Sequence, residues 1–143
     1  MKKLAIFFLI VVIIVVTITY MFIDYQKKQE RLKQENQVYE SYLDKEVKGL
    51  DIATIINKVE DNNTKNNVKR DSKGYYIEDE NSIKIDIKFI DNDKTYKMEE
   101  IAKGEIKTFS VYYGQIKFKC TKIDYHKENG KVKYMLFEQI TEF

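Results

Sequence analysis

The chain has no proline, a single cysteine, a single histidine and only two arginines among its 143 residues. Each shortage removes a class of explanation. One cysteine, Cys120, cannot build an internal disulfide framework, which argues against a small eukaryotic secreted module. The only arginines are Arg31 and Arg70; every other cation is a lysine, which meets phosphate as a point charge rather than as a planar fork. An excess of one charge is also missing. Lys+Arg is 25 and Asp+Glu is 23, and Lys2 and Lys3 account for the difference, so residues 4–143 are formally neutral. A balanced chain makes no long-range field, so there is no electrostatic case for nucleic acid or an anionic polymer as partner.

What is abundant sits at the N-terminal end. Residues Leu4 to Ile23 read LAIFFLIVVIIVVTITYMFI, with no charge, glycine or proline, and polar atoms only on Thr17, Thr19 and Tyr20. As a helix this run is about 30 Å long, the thickness of a bilayer's hydrocarbon layer. Leu, Ile, Phe and Val each favour insertion by roughly 0.3–0.6 kcal/mol, and no charge opposes them. A cleaved signal peptide has a shorter apolar core and small residues at its end, whereas here the run ends in Thr19-Tyr20-Met21-Phe22-Ile23-Asp24. A lipoprotein needs a cysteine at that boundary. A chain this short also has no second apolar layer to wrap such a helix on all sides. The reading is a retained single-pass anchor with the lipid bilayer as its first partner. For orientation, Lys27, Lys28, Arg31 and Lys33 on the downstream side compete with Lys2 and Lys3 in a bare count. The short Lys-Lys head before the run is the layout of a signal anchor, so the N-terminus is expected in the cytoplasm and the C-terminal part outside it.

The rest divides into a helical stalk, 24–48, and a small α+β domain, 49–143, after the anchor at 1–23. Residues 24–48 hold neither Gly nor Pro and are rich in Gln, Glu and Lys, so the helix is expected to continue unbroken to about 48. Tyr39, Tyr42, Leu43, Val47 and Leu50 then form one apolar stripe that packs on the following domain. Gly49 is expected to cap and stop this rod. Asp51 is expected to N-cap a second helix whose Ile52, Ile55, Ile56 and Val59 fall on one face, ending near Asp61-Asn62-Asn63. A polar loop over 62–73 follows.

From Gly74 the period becomes two. Tyr75-Tyr76-Ile77 reads as a short strand. Ile83, Ile85, Ile87 and Phe89 alternate with Lys84, Asp86 and Lys88 as the clearest strand, turned at Asp91–Lys94 into Thr95–Met98. A short helix is expected around 104–113. Ile116, Phe118 and Cys120 begin a hairpin whose apolar parity shifts near Thr121-Lys122, predicting a bulge. Asn129-Gly130 supplies the turn. The return strand, Val132 to Ile140, is apolar on both faces at Tyr134-Met135-Leu136-Phe137, which suggests a central strand with the Asp51–Asn62 helix as its cover. The expected architecture is a transmembrane helix continued by a stalk, then a short helix packed on a small antiparallel sheet.

Little here carries chemistry. His126 sits at a hairpin end and reads as an exposed turn residue, not a general base. Cys120 lies on the buried parity of its strand and reads as an inert thiol. Asp91-Asn92-Asp93 opens like a calcium loop, yet Tyr96 and Ala102 occupy the places that need Gly and Glu, so it reads as a turn. There is no Gly-rich phosphate loop and no serine elbow. No catalytic, metal or cofactor-binding residues are assigned, and the protein is not expected to be an enzyme. Tyr75, Tyr76, Tyr112 and Tyr113 are candidates for an exposed aromatic patch, although sheet cover is the plainer role for them.

An apolar span running into a long helix, a Gly break, a short helix and then a sheet resembles the organisation of type IV pilin-like proteins. The segment Gly49-Leu50-Asp51-Ile52-Ala53-Thr54-Ile55-Ile56 is similar to an element of small envelope proteins of low-GC Gram-positive bacteria, some of them pilin-like. The likeness covers the first sixty residues. A prepilin's Gly before the run and acidic residue within it are absent, and the run has no small-xxx-small spacing. The resemblance implies a structural or assembly component of the envelope, forming homo- or hetero-oligomers through the N-terminal helix. The other class left open is a monomeric membrane-tethered binding module.

Overall fold

The computed structural model describes residues 2–90, 93–104 and 106–141. By contacts the chain separates into two units, 1–35 and 36–143. The first unit holds most of helix α1 (Lys2–Glu40), whose side chains from Leu4 to Ile23 are all exposed. Thr17 and Thr19 donate their hydroxyls to the carbonyls of Ile13 and Val15, 2.8 Å in each case, so these two polar groups are satisfied within the helix.

The second unit, the head, is a five-stranded sheet with three helices: β1 (Glu46–Lys48), α2 (Gly49–Lys65), β2 (Lys84–Lys88), β3 (Thr95–Lys97), α3 (Met98–Lys103), α4 (Ile106–Tyr113), β4 (Lys117–Tyr125) and β5 (Val132–Gln139). The strand order is β1-β4-β5-β2-β3. Strand β5 is central, as its two apolar faces suggest. The sheet is mixed, not antiparallel throughout, because β2 and β5 run parallel with Lys84 opposite Tyr134 and Lys88 opposite Glu138. Strands β4 and β5 are joined by a tight turn, with Gly130 at φ 72°. Their ladder shifts register between Cys120 and Lys122, which leaves Thr121 as the bulge the parity change foretold.

One face of the sheet makes the core. Ile85, Ile87, Phe118, Cys120, Met135 and Phe137 are fully buried in one cluster with Ile52, Ile55, Ile56 and Val59 of α2. Each of those four α2 side chains contributes about 1.5–3 kcal/mol on leaving water. Phe89 joins this cluster to an aromatic group: its ring lies 4.7 Å from Tyr113, 5.4 Å from Tyr96 and 5.7 Å from Phe118.

Several expectations are corrected. Helix α1 stops at Glu40 rather than near 48. Residues 41–45 turn instead, with Asp44 at φ 59°, and Glu46–Lys48 become an edge strand on β4. Tyr39, Tyr42 and Val47 do pack against the core, but not from one helical face. Gly49 therefore starts α2 instead of capping α1. A Cβ there would come within 2.1 Å of the Tyr113 carbonyl oxygen, so the close crossing of α2 and α4 requires glycine. The N-cap of α2 is Lys48, and Asp51 stands at the third helical position, accepting from the Lys48 backbone N–H at 3.0 Å. Lys97 and Glu100 repeat this arrangement where β3 runs into α3, so both edge strands pass directly into acid-braced helices. The expected strand at Tyr75–Ile77 is only an isolated bridge between Arg70 and Tyr76. The expected short helix around 104–113 is present as α4, and only α3, just before it, was not expected.

Two buried asparagines close the head. Asn63 donates to the Ile83 carbonyl at 2.8 Å and accepts from the Ile83 N–H at 2.9 Å, which also explains why α2 continues to Lys65. Asn36 does the same for the hairpin, donating to Gly130 and accepting from Val132, both at 2.9 Å. Removing one partner of such a pair leaves buried backbone groups unsatisfied, at about 1–3 kcal/mol. In urea denaturation of the full chain in neutral detergent, Asn63→Ala should lose that much stability. Asn57→Ala, at an exposed α2 position, should change it by no more than about 0.5 kcal/mol. Equal effects from the two substitutions would contradict the latch.

Candidate functional site

Segment 66–83 joins α2 to β2 without a helix or strand of its own. Loops of this length without regular structure are usually either functional or disordered linkers. This one is pinned along its length. Asp71 accepts from the backbone N–H groups of Lys73 and Tyr75, both at 2.9 Å, and these bonds, led by the one from Tyr75, hold its carboxyl below the usual range. Arg70 reaches Glu60 and donates to the Tyr76 hydroxyl oxygen at 2.7 Å while stacking over that ring. The Tyr76 N–H donates to Glu99 at 2.9 Å, and the Tyr75 hydroxyl to Glu100 at 3.1 Å. Lys103 reaches the Lys73 carbonyl. At the far end Asn129 donates to the Glu80 carbonyl at 2.6 Å.

His126 belongs to this pinning and corrects the expectation of an exposed turn residue. It is 5% exposed, and its Nε2 donates to the Ser82 carbonyl at 2.8 Å. The hairpin end folds against the loop, so the ring is enclosed by a segment far away in sequence. Cys120 is fully buried, as its parity indicated, and burial pushes its thiol up to about 11. Asp91 and Asn92 of the calcium-like turn lie outside the described residues. Among the described residues no three His, Cys, Asp or Glu side chains gather as a metal site.

The four candidate tyrosines do not form one patch. Tyr76 is buried, and Tyr75 is half-buried with Lys97 and Lys103 over its ring at 4.6 and 5.2 Å. Tyr113 stacks on Phe109 at 5.4 Å. Tyr112 alone stays open, 68% exposed, next to Val111 at 73%. Tyr112 and Tyr113 border an apolar hollow of about 230 Å³ with Phe89, Tyr96, Ile101 and Phe109.

A polar cleft lies on the sheet face opposite the core. Lys84, Asp86 and Lys88 alternate there with the buried isoleucines of β2. The pinned loop forms one wall and the β4–β5 hairpin the other. A hollow of about 290 Å³ is bounded by Glu78 and Ser82 on the loop side and by Lys122, Asp124 and Lys133 on the hairpin side. A second, of about 230 Å³, is bounded by Tyr75, Tyr76, Asp86, Lys97 and Glu99. Lys84 and Tyr134 line both. The Tyr134 hydroxyl donates to Asp86 at 3.1 Å. Burial raises the pKa of each, and the Asp86 carboxylate adds to the rise at Tyr134. The sequence marked Lys84 and Asp86 only as solvent-facing strand residues. Nothing in a period-two pattern says that a distant loop will fold beside them.

No protein-family model, curated protein or solved structure matches the chain.

The Cys120 environment gives a pH-dependent prediction. Its pKa is higher folded, about 11, than in the exposed reference state, 9.0. The stability it contributes is therefore complete below about pH 9 and is lost as pH rises towards 11. Urea midpoints stepped through that range should fall, and Cys120→Ala should flatten the fall. An unchanged alkaline slope in the variant would place the ionisation elsewhere.

Proposed function

We propose that the protein is a non-enzymatic, single-pass membrane-anchored envelope protein, pilin-like in build, serving as a structural or assembly component. The observation that carries this reading is the exposed, charge-free apolar surface from Leu4 to Ile23, on a helix long and apolar enough to cross a bilayer. Such a surface is stable only against lipid or against other apolar helices. In this reading the N-terminus is cytoplasmic, the head is extracytoplasmic, and the helix brings copies or partner subunits together in the membrane. The thin inventory of nucleophiles and bases supports a role without catalysis.

Amine-reactive crosslinking in native membranes, where Lys27 and Lys28 follow the span, is expected to trap dimers and larger species. Monomer alone would contradict the assembly role. It would favour the second reading, a monomeric tethered binding module, for which the aromatic hollow beside the exposed Val111 and Tyr112 is the supporting feature. Protease added to intact cells should digest the head; protection until the cells are opened would reverse the orientation.

A further inference from the structure

We propose that the cleft between the 66–83 segment and the β4–β5 hairpin binds a small phosphate-bearing molecule, with Lys84 as its principal contact. The larger hollow brings three ammonium groups, Lys84, Lys122 and Lys133, to two carboxylates, Glu78 and Asp124. Both carboxylates are already engaged, Asp124 with Lys122 at 2.8 Å and Glu78 with Lys133 at 3.4 Å. Among the described residues the Lys84 ammonium makes no hydrogen bond or ion pair. It is half-buried beside the central strand, so its charge is only partly met by solvent. The hollow thus carries one cation more than it neutralises. Lys84 also borders the second hollow, but the carboxylates there are engaged elsewhere, Asp86 with the Tyr134 hydroxyl at 3.1 Å and Glu99 with the Tyr76 N–H at 2.9 Å, so neither pairs with Lys84.

The donor chemistry selects phosphate. No arginine lines the hollow, so no planar fork is offered to a carboxylate. Ammonium groups act as point charges set around a volume, which suits a tetrahedral anion of about −1.5 to −2 charge with three accepting oxygens. The loop wall is fixed by His126, Asn63 and Asn129 through the Ser82, Ile83 and Glu80 backbone. Binding therefore needs little ordering of the chain. The cleft does not depend on association through the N-terminal helix.

The test is a titration of the isotope-labelled full chain in neutral maltoside micelles, followed by NMR at constant ionic strength. Inorganic phosphate is expected to give saturable shifts at Ser82, Lys84 and Tyr134, with affinity roughly tenfold lower in Lys84→Gln. Lys88→Gln, on the same strand but paired with Asp93 and Glu138, should titrate as the unaltered protein does. Glycerol phosphate in solution and phosphatidic acid added to the micelles separate a soluble ligand from a lipid headgroup, and saturation by either at these residues supports the site. Absence of saturable shifts with any of the three, equal shifts with acetate, or a Lys84→Gln variant that titrates unchanged would overturn it.

Discussion

The exposed apolar surface of the N-terminal helix is the constraint on which the rest depends. The run from Leu4 to Ile23 offers its side chains on every face of the helix, and water is the one environment that physical chemistry denies it. Leaving such a run in solution forfeits about 0.8 kcal/mol for each methylene that lipid would shelter. The head's buried cluster closes through α2, α3, α4 and the inner sheet face.

The legible parts of the fold were those encoded by neighbours in sequence. Ile83, Ile85 and Ile87 announced a strand because alternation is local. Asn129-Gly130 announced a hairpin because its dihedral needs are local. Thr121 announced a bulge because the apolar parity visibly slips there. What escaped was decided at a distance. The parallel pairing of β2 with β5 leaves no mark in either strand. Helix α1 ends at Glu40 because Glu46–Lys48 gain hydrogen bonds from β4, although nothing within 41–48 forbids helix. Gly49 is needed because the carbonyl of Tyr113 presses on its Cα, not because of a left-handed cap.

The candidate site was hidden for the same cause. Lys84 and Asp86 have the local pattern of any solvent-facing strand residues, and only the 66–83 segment folding beside them makes a cleft. His126 could not be assigned from its neighbours, because its partner is the Ser82 carbonyl in another part of the chain. Asn36, Asn63 and His126 share one role: each uses a polar side chain to tie distant backbone without adding a strand. The head achieves this without disulfide or proline. Its rigidity rests on side-chain to backbone hydrogen bonds, which is why the loop can form a fixed wall despite lacking regular structure.

The central claim is that the apolar run stays attached to the head and lies in lipid. The most direct measurement is the intact mass of the protein in the membrane and soluble fractions after an alkaline wash. The account predicts a membrane-retained polypeptide whose mass includes Leu4–Ile23. A soluble head whose mass begins near Asp24 would contradict it.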